Sequence, residues 1–233
     1  LGAALQTHKN KNIALNIAPT NFPADFGGER PVIEEDIATT FSYFKDLDLA
    51  YVTINTSCPN THEGVLKESS QLKNVLSRVG QLNSRGLPLF LKLSPHSSDE
   101  FLQHTLDIAA EHKVHGFVLG NTSTRRDLLS TDTEMVAALG NGGLSGAPIR
   151  KLALDLVKRV ARKKTADQQI IACGGISSAE DVIDAIRAGA TAVQMYTALV
   201  YEGPFHVLRL RRDLALEMQR RATTLQAQIG ADL

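Results

Sequence analysis

No stretch of this sequence approaches the ~20 consecutive apolar residues that cross a bilayer, and no signal-peptide pattern opens it. Membrane contact is therefore expected only through residues other than these. Surplus charge of one sign is missing too, because 25 Lys plus Arg offset 25 Asp plus Glu. A neutral chain has no global field to gather nucleic acid. Its basic clusters, Arg159 to Lys164 and Arg209 to Arg212, read as solvated helix faces. Cysteine is scarce: Cys58 and Cys173 are too few for a disulfide framework, so reduced thiols on the cytoplasmic side are expected, with Cys173 packing as a small apolar residue. His62, His104, His112, His115 and His206 show no metal-ligand spacing, no Cys-rich iron–sulfur motif is present, and no metal site is expected.

What is present suits one sizeable α/β core: 233 residues, 43% of them apolar. Strand, loop and helix recur six times. Predicted strands cover 13–17, 50–56, 88–94, 115–120, 169–176 and 191–196. Between them, Ile33, Ile37, Thr40 and Phe44 fall at helical spacing, as do Leu72, Val75, Leu76, Val79 and Leu82. Capping boxes are predicted at Ser97 to Glu100 and at Ser177 to Glu180. Ile149, Leu152, Leu156 and Val160 mark another amphipathic helix, and a last one spans about 205–221 before a tail expected to fray. Thr133 to Leu139 forms a short helix inside the long 121–146 loop. This alternation allows an open doubly wound sheet. Polar residues at successive strand ends and glycine-rich late loops favour a (β/α)8 TIM barrel, with the first one or two units absent from these residues.

The chemistry gathers at the carboxyl ends of the predicted strands. Tyr51 to Thr56 is a β-branched run ending in Ser57-Cys58-Pro59-Asn60, where a thiol capable of nucleophilic or base chemistry sits in a proline-stiffened loop between the carboxamides Asn55 and Asn60. Lys92 interrupts the apolar run 88–94, and burying such a cation costs about several kcal/mol unless it meets an anion or polar ligand. Asn16 and Asn121 add two more strand-end carboxamides. The pair Gly174-Gly175, with Gly146 and Tyr196-Thr197, is similar to the phosphate cradle that barrels build after their last strands. Amides, one cation and a phosphate cradle together suit a flavin mononucleotide with a flat substrate stacked on it.

Asn55-Thr-Ser-Cys-Pro-Asn60 resembles the active-site segment of the dihydroorotate dehydrogenases, and further motifs match in order as far as about Tyr201. The resemblance implies an FMN oxidoreductase of pyrimidine biosynthesis that converts dihydroorotate to orotate. It makes Cys58 the base that removes the C5 proton while the C6 hydride leaves for FMN. Asn55, Asn60, Asn121 and Thr122 would hold the pyrimidine. Asn16, Asn55, Lys92, Gly120, Gly146, Gly175, Tyr196 and Thr197 would contact FMN.

Gly142-Gly-Leu-Ser-Gly146 and Gln194 to Pro204 look most like the quinone-linked class 2 enzymes, which are peripheral to the inner cell or mitochondrial membrane. That class usually carries serine at the position of Cys58, whereas cysteine is typical of the soluble class 1 enzymes. A class 1 type enzyme using fumarate or NAD is thus an alternative. Others are a related FMN pyrimidine reductase and a non-catalytic barrel fragment that binds a phosphorylated ligand or a partner chain. The expected organisation is an FMN-binding barrel domain over residues 1–221, incomplete at its amino end, followed by the tail 222–233.

Overall fold

The computed structural model describes residues 13–20, 27–28, 31–56, 69–140 and 142–233. Two compact units make up the chain: Leu1–Lys92 with Ser98–Gly116, and Leu93–Ser97 with Phe117–Leu233.

In the first unit, β1 (Leu15–Ile17), β2 (Val52–Asn55) and β3 (Leu89–Leu93, its last residue falling in the second unit) alternate with helices α1 (Ile33–Phe44), α2 (Ser69–Leu82) and α3 (Asp99–Glu111). The strands pair in parallel, Leu15 opposite Val52 and Val52 opposite Leu89. The β-branched and aliphatic residues of β2 and β3 are buried as expected, whereas β1 is shorter than the predicted 13–17 and of its three residues only Ile17 is buried. On α1 the deepest residues are Ile37 and Phe41, so the apolar stripe turns one step from the predicted Phe44. Glu34, Glu35 and Asp36 in its first turn favour the positive helix end. On α2, Leu72, Val75, Leu76 and Val79 are all buried, as their spacing predicts. The α3 cap falls one residue later than predicted: the Ser98 hydroxyl, rather than Ser97, accepts the Phe101 N–H at 3.1 Å.

The second unit holds β4 (Gly116–Leu119, apart from its first residue), α4 (Thr133–Ala138), a 3₁₀ turn Ala147–Ile149 leading into α5 (Arg150–Ala161), and β5 (Gln169–Cys173). It continues through α6 (Ala179–Arg187), β6 (Ala192–Gln194), α7 (Thr197–Glu202), α8 (His206–Arg220) and α9 (Leu225–Gln228). Its core is aliphatic and aromatic, with Phe117, Leu119, Leu156, Val160, Ile170 and Ile183 fully buried. Each contributes about 1.5–3 kcal/mol relative to exposure.

Around β4, the His115 N–H donates to Leu89 O at 2.8 Å and the Gly120 N–H donates to Leu93 O at 3.1 Å. β5 and β6 pair in parallel, Ile171 opposite Ala192. Sequential neighbours without an order reversal are what a (β/α)8 barrel requires, and six of its strand–helix repeats occur among the described residues.

Three expectations are corrected here. The second capping box is Ser178 with Asp181 rather than Ser177 with Glu180, because Asp181 gathers the Ser177 and Ser178 N–H groups while Glu180 turns to Arg221. Arg159 is not part of a solvated face, since its guanidinium donates to Ser97 O at 2.8 Å. The tail is docked rather than frayed: the Gly230 and Asp232 N–H groups donate to Ile186 O and Arg187 O, and Arg187 pairs with Asp232 at 2.5 Å. Among the described residues, no helix is long and apolar enough to cross a membrane, and no cluster of His, Cys, Asp and Glu could hold a metal ion.

Candidate functional site

Side chains alternate across a strand, and residues in register on parallel neighbours point to the same side. Asn16 is opposite Thr53, and Asn55 is opposite Lys92. Asn16, Thr53, Asn55 and Lys92 therefore share one face of β1, β2 and β3, while Ile17, Ile54 and Leu91 occupy the other. Asn55 and Thr53 are buried, Lys92 is half-buried and Asn16 is exposed. The strand ends are tied by the Thr56 hydroxyl, which donates to Lys92 O at 2.8 Å. Lys92 has no ion-pair partner among the described residues. Within the first unit, the three predicted positions on described strands thus stand together. Cys58 and Asn60 lie outside the described residues.

The second unit brings its predicted positions together through glycine. Gly120, immediately after β4, has φ +128°, and a Cβ there would sit 1.6 Å from the Cys173 carbonyl oxygen at the end of β5. Asn121 follows, half-buried, its Oδ1 accepting the Thr122 N–H at 2.9 Å. Thr122 packs on Gly143 so closely that a Cβ on the glycine would lie 2.2 Å from the threonine Oγ1.

Gly146, at φ +80°, faces Thr197, where a Cβ would come within 3.1 Å of Cγ2. The Thr197 hydroxyl donates to Ser145 Oγ at 3.0 Å. Gly175, at φ +73°, lies against Arg150, whose Cα would be 2.7 Å from an added Cβ. The loops after β4, β5 and β6 are thus laced to the segment that starts α5. Tyr196, immediately before α7, is exposed.

Asp181 holds the loop after β5. Burial alone would raise its carboxyl, but the Ser177 N–H, the Ser178 and Ser177 hydroxyls and the Arg150 guanidinium together keep it below the usual carboxylate range. Arg150 Nε lies 2.8 Å from Asp181 Oδ1 without hydrogen-bond alignment, and its outer nitrogen donates to Asp184. A cavity of about 600 Å³ beside α6, lined by Ser177, Ser178, Glu180, His206, Arg209 and Glu217 among others, includes none of the predicted positions.

One residue that the sequence reading passed over is His96. Its Nε2 is 2.9 Å from Ser123 Oγ. The only signal for it was its place in the turn just after Lys92.

Parallel β/α repeats in chain order, with carboxamides and a cation on one strand face and glycine-lined loops at strand carboxyl ends, define a domain of the (β/α)8-barrel class. Residues 4–218 match the dihydroorotate dehydrogenase family. The chain belongs to that family.

Curated relatives include a dihydroorotate dehydrogenase (quinone) from Thermobifida fusca (strain YX), 40% identical over 206 residues, covering 85% of this chain and 54% of the relative. The mitochondrial dihydroorotate dehydrogenase (quinone) of Schizosaccharomyces pombe is 36% identical over 186 residues, covering 77% of this chain and 40% of the relative. Two crystal structures from Eimeria tenella are similar in fold. DHODH in complex with ferulenol has a TM-score of 0.76 at 25% identity, covering 88% of this chain and 59% of that one. The ligand-free type has a TM-score of 0.74 at 28% identity, covering 88% and 61%. The chain spans about half the length of the curated relatives it matches.

Proposed function

We propose that the protein oxidises dihydroorotate to orotate in pyrimidine biosynthesis, with FMN as cofactor and quinone as the final electron acceptor. The observation that carries this reading is the shared face of Asn16, Asn55 and Lys92 on adjacent strands of a dihydroorotate dehydrogenase family chain. The name of the curated relatives, dihydroorotate dehydrogenase (quinone), supports the acceptor.

The donor set fits FMN. Carboxamides donate and accept together, as a flat heterocycle demands, and Lys92 has no counter-anion among the described residues. The backbone amides of the loop at Gly146, which lies against Thr197, and of the loop at Gly175, which lies against Arg150, would in this reading receive the phosphate. In this reading Asn16, Asn55, Lys92, Gly120, Gly146, Gly175, Tyr196 and Thr197 contact FMN, which when bound supplies the hydride acceptor that no side chain provides. Asn55, Asn60, Asn121 and Thr122 orient the pyrimidine through its polar edge. Cys58, as thiolate, takes the proton from C5, and a thiol titrates near enough to neutrality to do so with modest activation. Loss of that proton and of a hydride from C6 leaves the C5–C6 double bond of orotate. Use of quinone places the protein peripherally at a membrane.

Anaerobic addition of dihydroorotate to the flavin-loaded protein tests the reading. Bleaching of the yellow flavin, reversed by a quinone but not by fumarate or NAD, is the expected result. A flavin that stays yellow rejects it, and reoxidation by fumarate or NAD alone rejects the quinone assignment.

A further inference from the structure

We propose that His96 is a positioning residue for the substrate-binding pair Asn121 and Thr122, acting through the buried hydroxyl of Ser123. The inference rests on the proposed reading, in which that pair holds the pyrimidine.

His96 sits in the short turn between β3 and α3 and is an exposed residue overall, so it is not a core histidine held by packing. Its backbone N–H is fixed by Ser94 Oγ at 3.2 Å. Its Nε2 meets Ser123 Oγ at 2.9 Å, and Ser123 is fully buried. That hydroxyl also accepts the Arg125 N–H at 3.0 Å. A buried hydroxyl that loses one of its partners is left with an unmet bond, which is costly where water cannot replace it.

Ser123 is the junction of the loop. Its N–H donates to Leu144 O at 2.9 Å and its carbonyl accepts the Leu144 N–H at 2.7 Å, forming an isolated antiparallel bridge. Arg126 donates to Ser123 O at 3.2 Å and also to Gly142 O. Gly143, between the residues so held, is the surface on which Thr122 packs. A shift of Ser123 therefore moves Thr122 from both sides: along the chain, and across the bridge through Gly143. Asn121 follows because its own Oδ1 is engaged by the Thr122 N–H. His96 links this network to the end of β3, fixing the loop against a rigid strand, a common requirement for precise sites.

The test compares His96→Ala, His96→Gln and Ser123→Ala in the flavin-loaded protein. The measurements are orotate affinity from the flavin absorbance shift, the dihydroorotate concentration that half-saturates bleaching, flavin content and melting temperature. His96→Ala is expected to weaken orotate binding and raise the half-saturating concentration roughly 5- to 10-fold, the loss of one hydrogen bond, with flavin content retained. His96→Gln restores most of that loss, since a carboxamide still reaches a hydroxyl. The His96→Ala, Ser123→Ala double variant is no weaker than the worse single variant, because both act on one contact. Wild-type bleaching with unchanged orotate affinity in His96→Ala overturns this inference alone. So does a glutamine variant no better than alanine, the mark of a merely structural role. A wild-type flavin that dihydroorotate does not bleach overturns the underlying reading and this inference with it.

Discussion

Gly120 and Cys173 approach so closely that a Cβ on the glycine would lie 1.6 Å from the cysteine carbonyl oxygen. The contact joins the carboxyl ends of β4 and β5 through backbone alone, and Gly120 also holds φ +128°. Gly120→Ala should therefore lose about 3 kcal/mol or more, since neither strand end can give way without breaking its ladder. Gly86→Ala is the control. Gly86 has φ +66° with nothing within 4 Å, so only backbone strain of about 1 kcal/mol is expected there. Urea midpoints of the two variants separate collision from strain, and equal losses would remove the collision argument.

Asp181 should give the fold an acid-sensitive component. Its folded carboxyl titrates below its ordinary value, so its stabilisation is fully present above about pH 4, the unfolded range, and is lost as pH falls through the lower folded value. Asp181→Asn should cost about 2 kcal/mol at pH 7, because the Ser177 and Ser178 donors and Arg150 lose a charged acceptor. The difference from wild type should shrink below pH 4. Denaturant unfolding at pH 7 and pH 3 measures it, and a gap unchanged between the two would contradict the linkage.

For Cys58, the reading distinguishes two substitutions. Cys58→Ala should slow flavin bleaching by dihydroorotate roughly 100-fold or more while leaving flavin bound, as expected when a general base is removed. Cys58→Ser should retain part of the activity with its pH optimum displaced upward, since a hydroxyl titrates far above a thiol. Wild-type bleaching by the alanine variant would remove the base assignment.

Lys92→Ala should reduce flavin retention roughly 10-fold or more, the loss of a charged hydrogen bond, without unfolding the protein. Lys92 is half-buried, has no ion-pair partner among the described residues and shares a register position with Asn55. Flavin content after gel filtration is the measurement. Content equal to wild type would make Lys92 an ordinary surface cation.

Much of this architecture was legible because the strands are apolar runs bounded by turn residues, a pattern strong enough to find the six that lie among the described residues. The polar face was legible as well: a lysine in Leu89-Phe-Leu-Lys-Leu93 has few structural reasons to exist. The misplacements came from local choices with near-equal options. Two adjacent serines can each cap a helix, and which one does depends on where the next acid reaches: Asp181 bends back to the Ser177 and Ser178 N–H groups, while Glu180 is drawn to Arg221. The docked tail was invisible because its anchors, Ile186 and Arg187, lie some forty residues earlier. The short helix α7 was assigned no element by the sequence pattern. His96 was missed for a related reason, because its partner Ser123 carries no pattern of its own.

The one-sided placement of Asn16, Asn55 and Lys92 restricts how such a chain can diversify. Inserting or deleting one residue in β2 would exchange Asn55 for the apolar Ile54 along the whole edge, turning aliphatic groups toward the face that Asn16 and Lys92 share and carboxamides toward the opposite one. Length changes are therefore barred from these strands. Changes to that polar face are thereby confined to point substitutions on it or to remodelling of the connecting segments.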